Sequence, residues 1–297
     1  MASMKIRKLS RLGCVACSVA SICVGVFSFT TPLLAASYTL SMLPRYSVEE
    51  INARITPFAE YLTRKTGLEI TPTFTSSFDQ YSKQLSSGGI DIGYQNPYIY
   101  VLASDAHEAI AMAVKGANRD KFRGIVITRV DSPLRMVSEL RGKRISVVGY
   151  TSAGGYLSQK LTLLENGIAV EKECTIEEAP ENKQENVIFS VYTGDVDAGF
   201  VRESALHKAD AFVPPSSIRV MEGTAWLPNW ALSINRNMPR EDREKIIKAI
   251  VELQFGDPVL KALKIEEFRM AMDSEYDVVR KAAGLPTATS GSSGQGQ

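Results

Sequence analysis

Between residues 38 and 271, short apolar runs alternate with stretches whose apolar positions recur every three or four residues. YTLSML (38–43) reads as a strand closed by Pro44. After it, Val48, Ile51, Ile55, Phe58 and Leu62 form a helical stripe ending at Gly67. Pro57 lies within that stripe and predicts a kink or a break. LEITPTFT (68–75) is a second strand, SFDQYSKQLSSGG (77–89) a short helix stopped by its glycines, and IDIGYQ (90–95) a third strand. Asn96-Pro97 then opens the helix PYIYVLASDA. AIAMAVKG (109–116) and RGIVITRV (123–130) give two more strands.

The alternation continues with a short helix LRMVSELRG (134–142), the strand KRISVVGY (143–150) and the helix GGYLSQKLTLLENG (154–167). ECTIEEAP (173–180) reads as a strand, NKQENVIFSVYTG (182–194) as a helix and VDAGFV (196–201) as a strand. RVMEGTAWL (219–227) leads back out, and REDREKIIKAIVELQFG (240–256) and PVLKALKIEEFRMA (258–271) read as amphipathic helices. This order predicts α/β architecture with mostly parallel sheets. One pattern occurs twice: DIGYQNP (91–97) and DAGFVRE (197–203) each place an acidic residue at the start of a strand that runs into a helix. Two lobes of similar build explain the repetition. The first lobe spans 37–124 and 225–285 and the second 125–224, with crossovers near 124 and 224.

The ends change the picture. Lys5, Arg7, Lys8 and Arg11 precede a largely apolar run from Leu12 to Phe29, and Leu34-Ala35-Ala36 offers small residues at a cut. That is the secretory signal pattern, residues 1–36, although a membrane anchor would share the apolar run. Cys14, Cys17 and Cys23 lie inside it, so cleavage leaves Cys174 alone, as a buried small side chain or a free thiol. Cys17 also keeps a lipid-anchored form open. The final stretch, 286–297, is polar and low in complexity and reads as a disordered tail.

Of 34 Lys and Arg against 33 Asp and Glu, removal of 1–36 leaves 30 against 33. Such a chain has no general attraction for nucleic acid. An anion must then be held by a local arrangement, and two turns offer one. Thr151, Ser152, Gly154 and Gly155 join a strand to a helix, where unpaired N–H groups favour negative charge. Asn96-Pro97 opens a helix at another strand end, with Tyr94 and Tyr98 beside it. A plain N-capped helix explains each turn as well, and both readings stand here. The stretch has neither the P-loop nor the dinucleotide fingerprint, so nucleotide binding is not expected. His107 and His207 lack metal-ligand spacing, and no catalytic constellation, cofactor or metal site is apparent.

GGIDIGYQNPYIYVLA, FRGIVITRVDSPLRMVSELRGKRISVVGYTSAGGYL, VYTGDVDAGFV and PNWALSINRNMPREDREKI together resemble the periplasmic phosphate, phosphite and phosphonate binding proteins of ABC transporters. The likeness covers residues 38–285. It implies a type II, two-lobed clamshell that closes on a small anion and is no enzyme, works as a monomer in the periplasm, and docks on a membrane permease. A sensor kinase is the alternative partner implied by related branches of the fold. By position, Ser152 falls on the family's anion-binding hydroxyl pair, whose second member is Ala153 here. Tyr46 and Tyr94 or Asn96 match first-lobe contacts, while Asp197 and Arg202 lie near the second-lobe strand lining the cleft. Gln184 stands where the family's phosphonate binders usually carry a histidine, and Arg202 is the residue that could restore a positive charge.

Overall fold

The computed structural model describes residues 36–116 and 120–288. The expected signal segment, 1–36, lies outside this range apart from Ala36, as do residues 289–297 of the expected tail. Two sheets organise the chain. The first takes β1 (Ser37–Met42), β2 (Glu69–Thr73), β3 (Ile92–Gln95) and β4 (His107–Val114), then later β10 (Ala231–Asn235) and β11 (Glu267–Met270), in the order β11-β4-β10-β3-β1-β2. The second takes β5 (Lys121–Arg129), β6 (Arg144–Val147), β7 (Thr175–Glu178), β8 (Ala198–Arg202) and β9 (Ile218–Pro228), in the order β7-β6-β8-β5-β9.

Each sheet is mixed rather than mostly parallel. Parallel pairing joins β1 to β2 and β3, and β6 to β7 and β8, where helices cross between strands. The returning strands β10 and β11 and the long pair β5–β9 run antiparallel. The chain changes sheets between Val114 and Lys121 and again between Pro228 and Ala231, so the expected crossovers near 124 and 224 fall inside β5 and β9, and the second lobe is taken below as the second sheet with its helices.

The helices are α1 (Val48–Thr66), α2 (Phe78–Ser86), α3 (Pro97–Leu102), α4 (Ser158–Glu165), α5 (Val170–Glu173), α6 (Gln184–Thr193), α7 (Arg240–Val251), α8 (Pro258–Leu263) and α9 (Asp277–Ala283). Ser47 caps α1 by accepting from Glu50 N, and Gly67 ends it in the left-handed conformation. Pro57 does not break α1. Ile55, Phe58 and Leu62 are fully buried on one face, and that packing holds the helix through the lost hydrogen bond.

Two predicted helices fare differently. LRMVSELRG yields only a 3-10 turn, Val137–Leu140. PVLKALKIEEFRMA splits, because Lys264 adopts a left-handed conformation (φ 57°) after α8 and the following residues pair with β4 as β11. At the other end of the structure, Ala288 N donates to Asp277, so the first residues after 285 are tied to α9.

Alternation along β5 buries both of its faces. Val126 packs with Ile145, Val147 and Phe200, while Ile125 and Ile127 pack with Val187 and Val191 on the other side. The first lobe's core gathers Leu40, Ile55, Phe58, Ile92 and Ile234, and it also takes in Ala153, Leu157 and Leu161 from the second lobe. Those three residues press the lobes together. Helix α9 adds to the closure, since it touches α3 on one side and α4 and β9 on the other.

The repeated Asp motifs do the same work in each lobe. Asp91 accepts from Thr39 N and Oγ1, at 2.8 Å each, and ties β3 to β1. Asp197 accepts from Arg144 N at 2.9 Å and ties β8 to β6.

Candidate binding site between the lobes

The strand ends nearest the crossovers open into a cleft of about 510 Å3. First-lobe residues Arg45, Tyr46, Arg54, Tyr94 and Lys115 face second-lobe residues Phe122, Arg123, Arg202, Lys208 and Trp226 across it, and Asn229 and Trp230 of the second crossover line it as well. Charge is the dominant feature. Arg54 pairs with Glu50 at 2.6 Å, Arg123 with Glu203 at 2.6 Å and Lys208 with Glu185 at 3.0 Å. Among the described residues, Arg45, Arg202, Lys115 and Lys121 have no such carboxylate.

Arg202 ends β8 and turns back over Phe122, its guanidinium 4.0 Å from the ring centroid. Among the described residues its side chain makes one hydrogen bond, from Nη2 to Asn229 Oδ1, a long 3.3 Å. The Nε atoms of both Arg45 and Arg202 are enclosed and without a partner among the described residues. Burial, then the nearby Arg45, push the Arg202 guanidinium down to about 9. An arginine keeps its proton at working pH, so the depression measures an uncompensated charge rather than a neutral side chain.

Tyr46 sits among the cations. Arg54, Lys208 and Arg45 lie 4.1, 4.9 and 5.0 Å from its ring centroid. Burial alone would raise its hydroxyl, but Arg45, Arg54, Lys208 and Arg202 outweigh that and hold it below the usual tyrosine value. Tyr94 is buried against Trp230 (centroids 5.2 Å apart), and burial pushes its hydroxyl well up. Lys115 is lowered by burial and by the same arginines.

The turn after β6 lies beside this cleft. Ser152, Gly154, Asn96 and Gln184 surround a second cavity of about 20 Å3, which shares Arg45, Phe122, Arg202 and Trp230 with the larger one. That volume suits about one water, not a tetrahedral oxyanion. Local bonds account for most of its polar groups. Ser152 Oγ accepts from Gly155 N at 3.1 Å, capping a π-helical turn, Ala153–Leu157, that runs into α4. Gly154 and Gly155 are needed for closeness: a Cβ would lie 2.9 Å from Phe122 at the first and 2.4 Å from Val148 at the second.

Asn96 Oδ1 caps α3 by accepting from Tyr98 N and Ile99 N, and its Nδ2 donates across the lobes to Thr151 O at 3.1 Å. Gln184 Oε1 accepts from Arg202 N at 2.8 Å, so it positions Arg202.

Of the residues singled out in the sequence, Tyr46, Tyr94 and Arg202 line the large cleft, and Ser152, Gly154, Asn96 and Gln184 the small one. Thr151 and Gly155 belong to the same turn without lining either. Tyr98 packs against the first-lobe core near Glu171. Asp197 is exposed at the far end of β8, where it ties strands together, and it lies off the cleft. Arg45, Arg54, Lys115, Lys121, Lys208 and Trp226 were not singled out. Arg45 carried a signal, as a basic residue next to Tyr46 at the carboxyl end of a strand. The others come from separate elements and only converge in space. Cys174 is half-buried, its thiol donating to Leu140 O at 3.2 Å and raised by burial. Among the described residues no group of His, Cys, Asp and Glu could hold a metal ion.

Comparison with known proteins agrees with this architecture. PhnD1 from Prochlorococcus marinus, solved in complex with methylphosphonate, superposes with a TM-score of 0.71 at 13% identity, covering 84% of this chain and 97% of that one. A Xanthomonas citri protein solved bound to ATP gives 0.70 at 18% identity, over 84% and 96%. The binding protein component of an ABC phosphonate transporter from Pseudomonas aeruginosa gives 0.68 at 15% identity, over 84% and 86%. These likenesses show the type II periplasmic binding protein fold. A family model matches residues 40–276, and on that match the chain belongs to the periplasmic substrate-binding proteins of phosphonate ABC transporters.

Proposed function

We propose that this protein captures a phosphonate- or phosphate-like oxyanion in the cleft between its lobes and presents it to the permease of an ABC importer. The observation that carries the reading is the pair Arg45 and Arg202. Two guanidinium groups converge on one crevice, neither of them paired with a carboxylate among the described residues, and each has an enclosed, unpartnered Nε. Enclosing such groups unpaired is costly, and a charge-assisted, forked contact to an oxyanion offsets that cost.

The ligand would bridge the lobes, since Arg45 follows β1 and Arg202 ends β8. Binding then favours the closed form, which the permease recognises. Gln184 fits this scheme as a neutral support: it holds the backbone of Arg202, and the arginine supplies the charge.

Isothermal titration of the purified mature protein with methylphosphonate and inorganic phosphate tests the reading. Binding that is lost in Arg202→Ala is expected. Undiminished affinity in that variant would remove the arginine pair from the site. Interaction with a sensor kinase instead of a permease is distinguished by crosslinking the liganded protein in intact cells.

A further inference from the structure

Arg45 and Arg202 account for one tetrahedral anion, yet they use a minor part of the cleft. About 510 Å3 is the size of a pocket for an organic molecule. Lys115 and Lys121 line it with no acidic partner among the described residues. Trp226 is the second unexplained feature. Most aromatic residues of the cleft are accounted for by packing: Tyr94 and Trp230 meet edge to face, and Phe122 is buried beneath Arg202. Trp226 is 39% exposed, in a cleft rich in charge, and touches Arg123 at 4.9 Å. It sits on β9 directly opposite Arg123 of β5, so the strand register presents the indole beside a cation.

We propose that the natural ligand is an aromatic organophosphate, a phosphorylated molecule bearing a flat ring, with nucleoside phosphates as the nearest common class. This rests on the oxyanion reading above and names the body attached to that anion. The phosphoryl group lies against Arg45 and Arg202. The ring stacks along Trp226, where base–aromatic stacking is sequence-tolerant and rewarding. Further negative groups meet Lys115 and Lys121. Motifs that hold nucleotides by glycine-rich backbone are absent from the chain, and this cleft would need none, since side-chain cations replace them.

The test titrates the mature protein, by calorimetry, with inorganic phosphate, methylphosphonate, ribose 5-phosphate and AMP. AMP is expected to bind at least tenfold more tightly than ribose 5-phosphate and methylphosphonate. Trp226→Ala weakens AMP at least tenfold and methylphosphonate much less, whereas Trp226→Phe keeps most of the advantage of AMP. Equal affinity for AMP and methylphosphonate overturns the proposal while leaving the oxyanion reading intact. So does a Trp226→Ala variant that weakens both ligands alike. Failure of all four probes to bind sinks both readings together. Both tryptophans of the chain, Trp226 and Trp230, line the cleft, so intrinsic fluorescence gives an independent readout that a stacked base should quench.

Discussion

Two groups of enclosed polar side chains in this protein stand in contrast. In the first lobe, Tyr81 donates to Gln95 Oε1 at 2.9 Å, Gln95 Nε2 donates to Ser233 Oγ at 2.9 Å, and Ser233 meets His107 Nδ1 at 3.1 Å. His107 Nε2 closes the chain on Ile90 O at 2.9 Å. Because that carbonyl only accepts, Nε2 carries the proton and Nδ1 takes one from Ser233. At the cleft, Arg45 and Arg202 leave donors unused. A satisfied network specifies a fold, whereas enclosed donors left unpaired beside a crevice are what the anion proposed above would compensate.

The contrast can be broken at either end, and the largest effect is expected in the satisfied network. Burial holds His107 down to about 4, against an ordinary value of 6.5. Its folded form therefore resists a proton that the unfolded chain accepts. The stability contributed by neutral His107 is full above pH 6.5 and declines as pH falls from 6.5 toward 4, by about 3 kcal/mol. Urea unfolding at pH 7.5 and 4.5 measures it, and His107→Gln should flatten the slope. An unaltered slope would mean other groups dominate.

At the cleft the sign reverses. Arg202→Ala should weaken oxyanion binding by roughly 10- to 100-fold, the scale of a charged hydrogen bond, while the ligand-free protein melts no lower than wild type. A lower melting temperature together with retained binding would make Arg202 structural.

Between these extremes lies the turn after β6. Gly155→Ala forces a methyl against Val148 and should cost about 2 kcal/mol of stability. Ser152→Ala removes the cap on Gly155 N and should cost about 1 kcal/mol, with a smaller loss of affinity than Arg202→Ala. If Ser152→Ala proved the more damaging to binding, the turn and not the arginine pair would hold the anion.

Much of the architecture was legible. Apolar period and capping residues marked β1, α1, α3 and α6 to within a few residues, because in those segments local preference and burial agree. Where they disagreed, the reading failed. Nothing local announces that Lys264 turns left-handed, or that EFRM would rather pair with β4 than continue a helix. Strand β10 was hidden in PNWALSIN, whose partners β3 and β4 lie over a hundred residues upstream.

The candidate site split the same way. Turns are local, so Ser152 and Asn96 stood out. The cation cluster is not, since Arg45, Lys115, Arg202 and Lys208 come from four different places in the chain. The strand-tying bond of Asp197 is not legible locally either, because its partner, Arg144 N, belongs to a neighbouring strand.

Helix α9 has a consequence for how the jaws move. Because it rests on α3 of one lobe and on α4 and β9 of the other, a rotation that parts the lobes has to peel it from one side. The carboxyl-terminal helix is thus a strap between the two halves, and any hinge opening would have to loosen its grip on one of them.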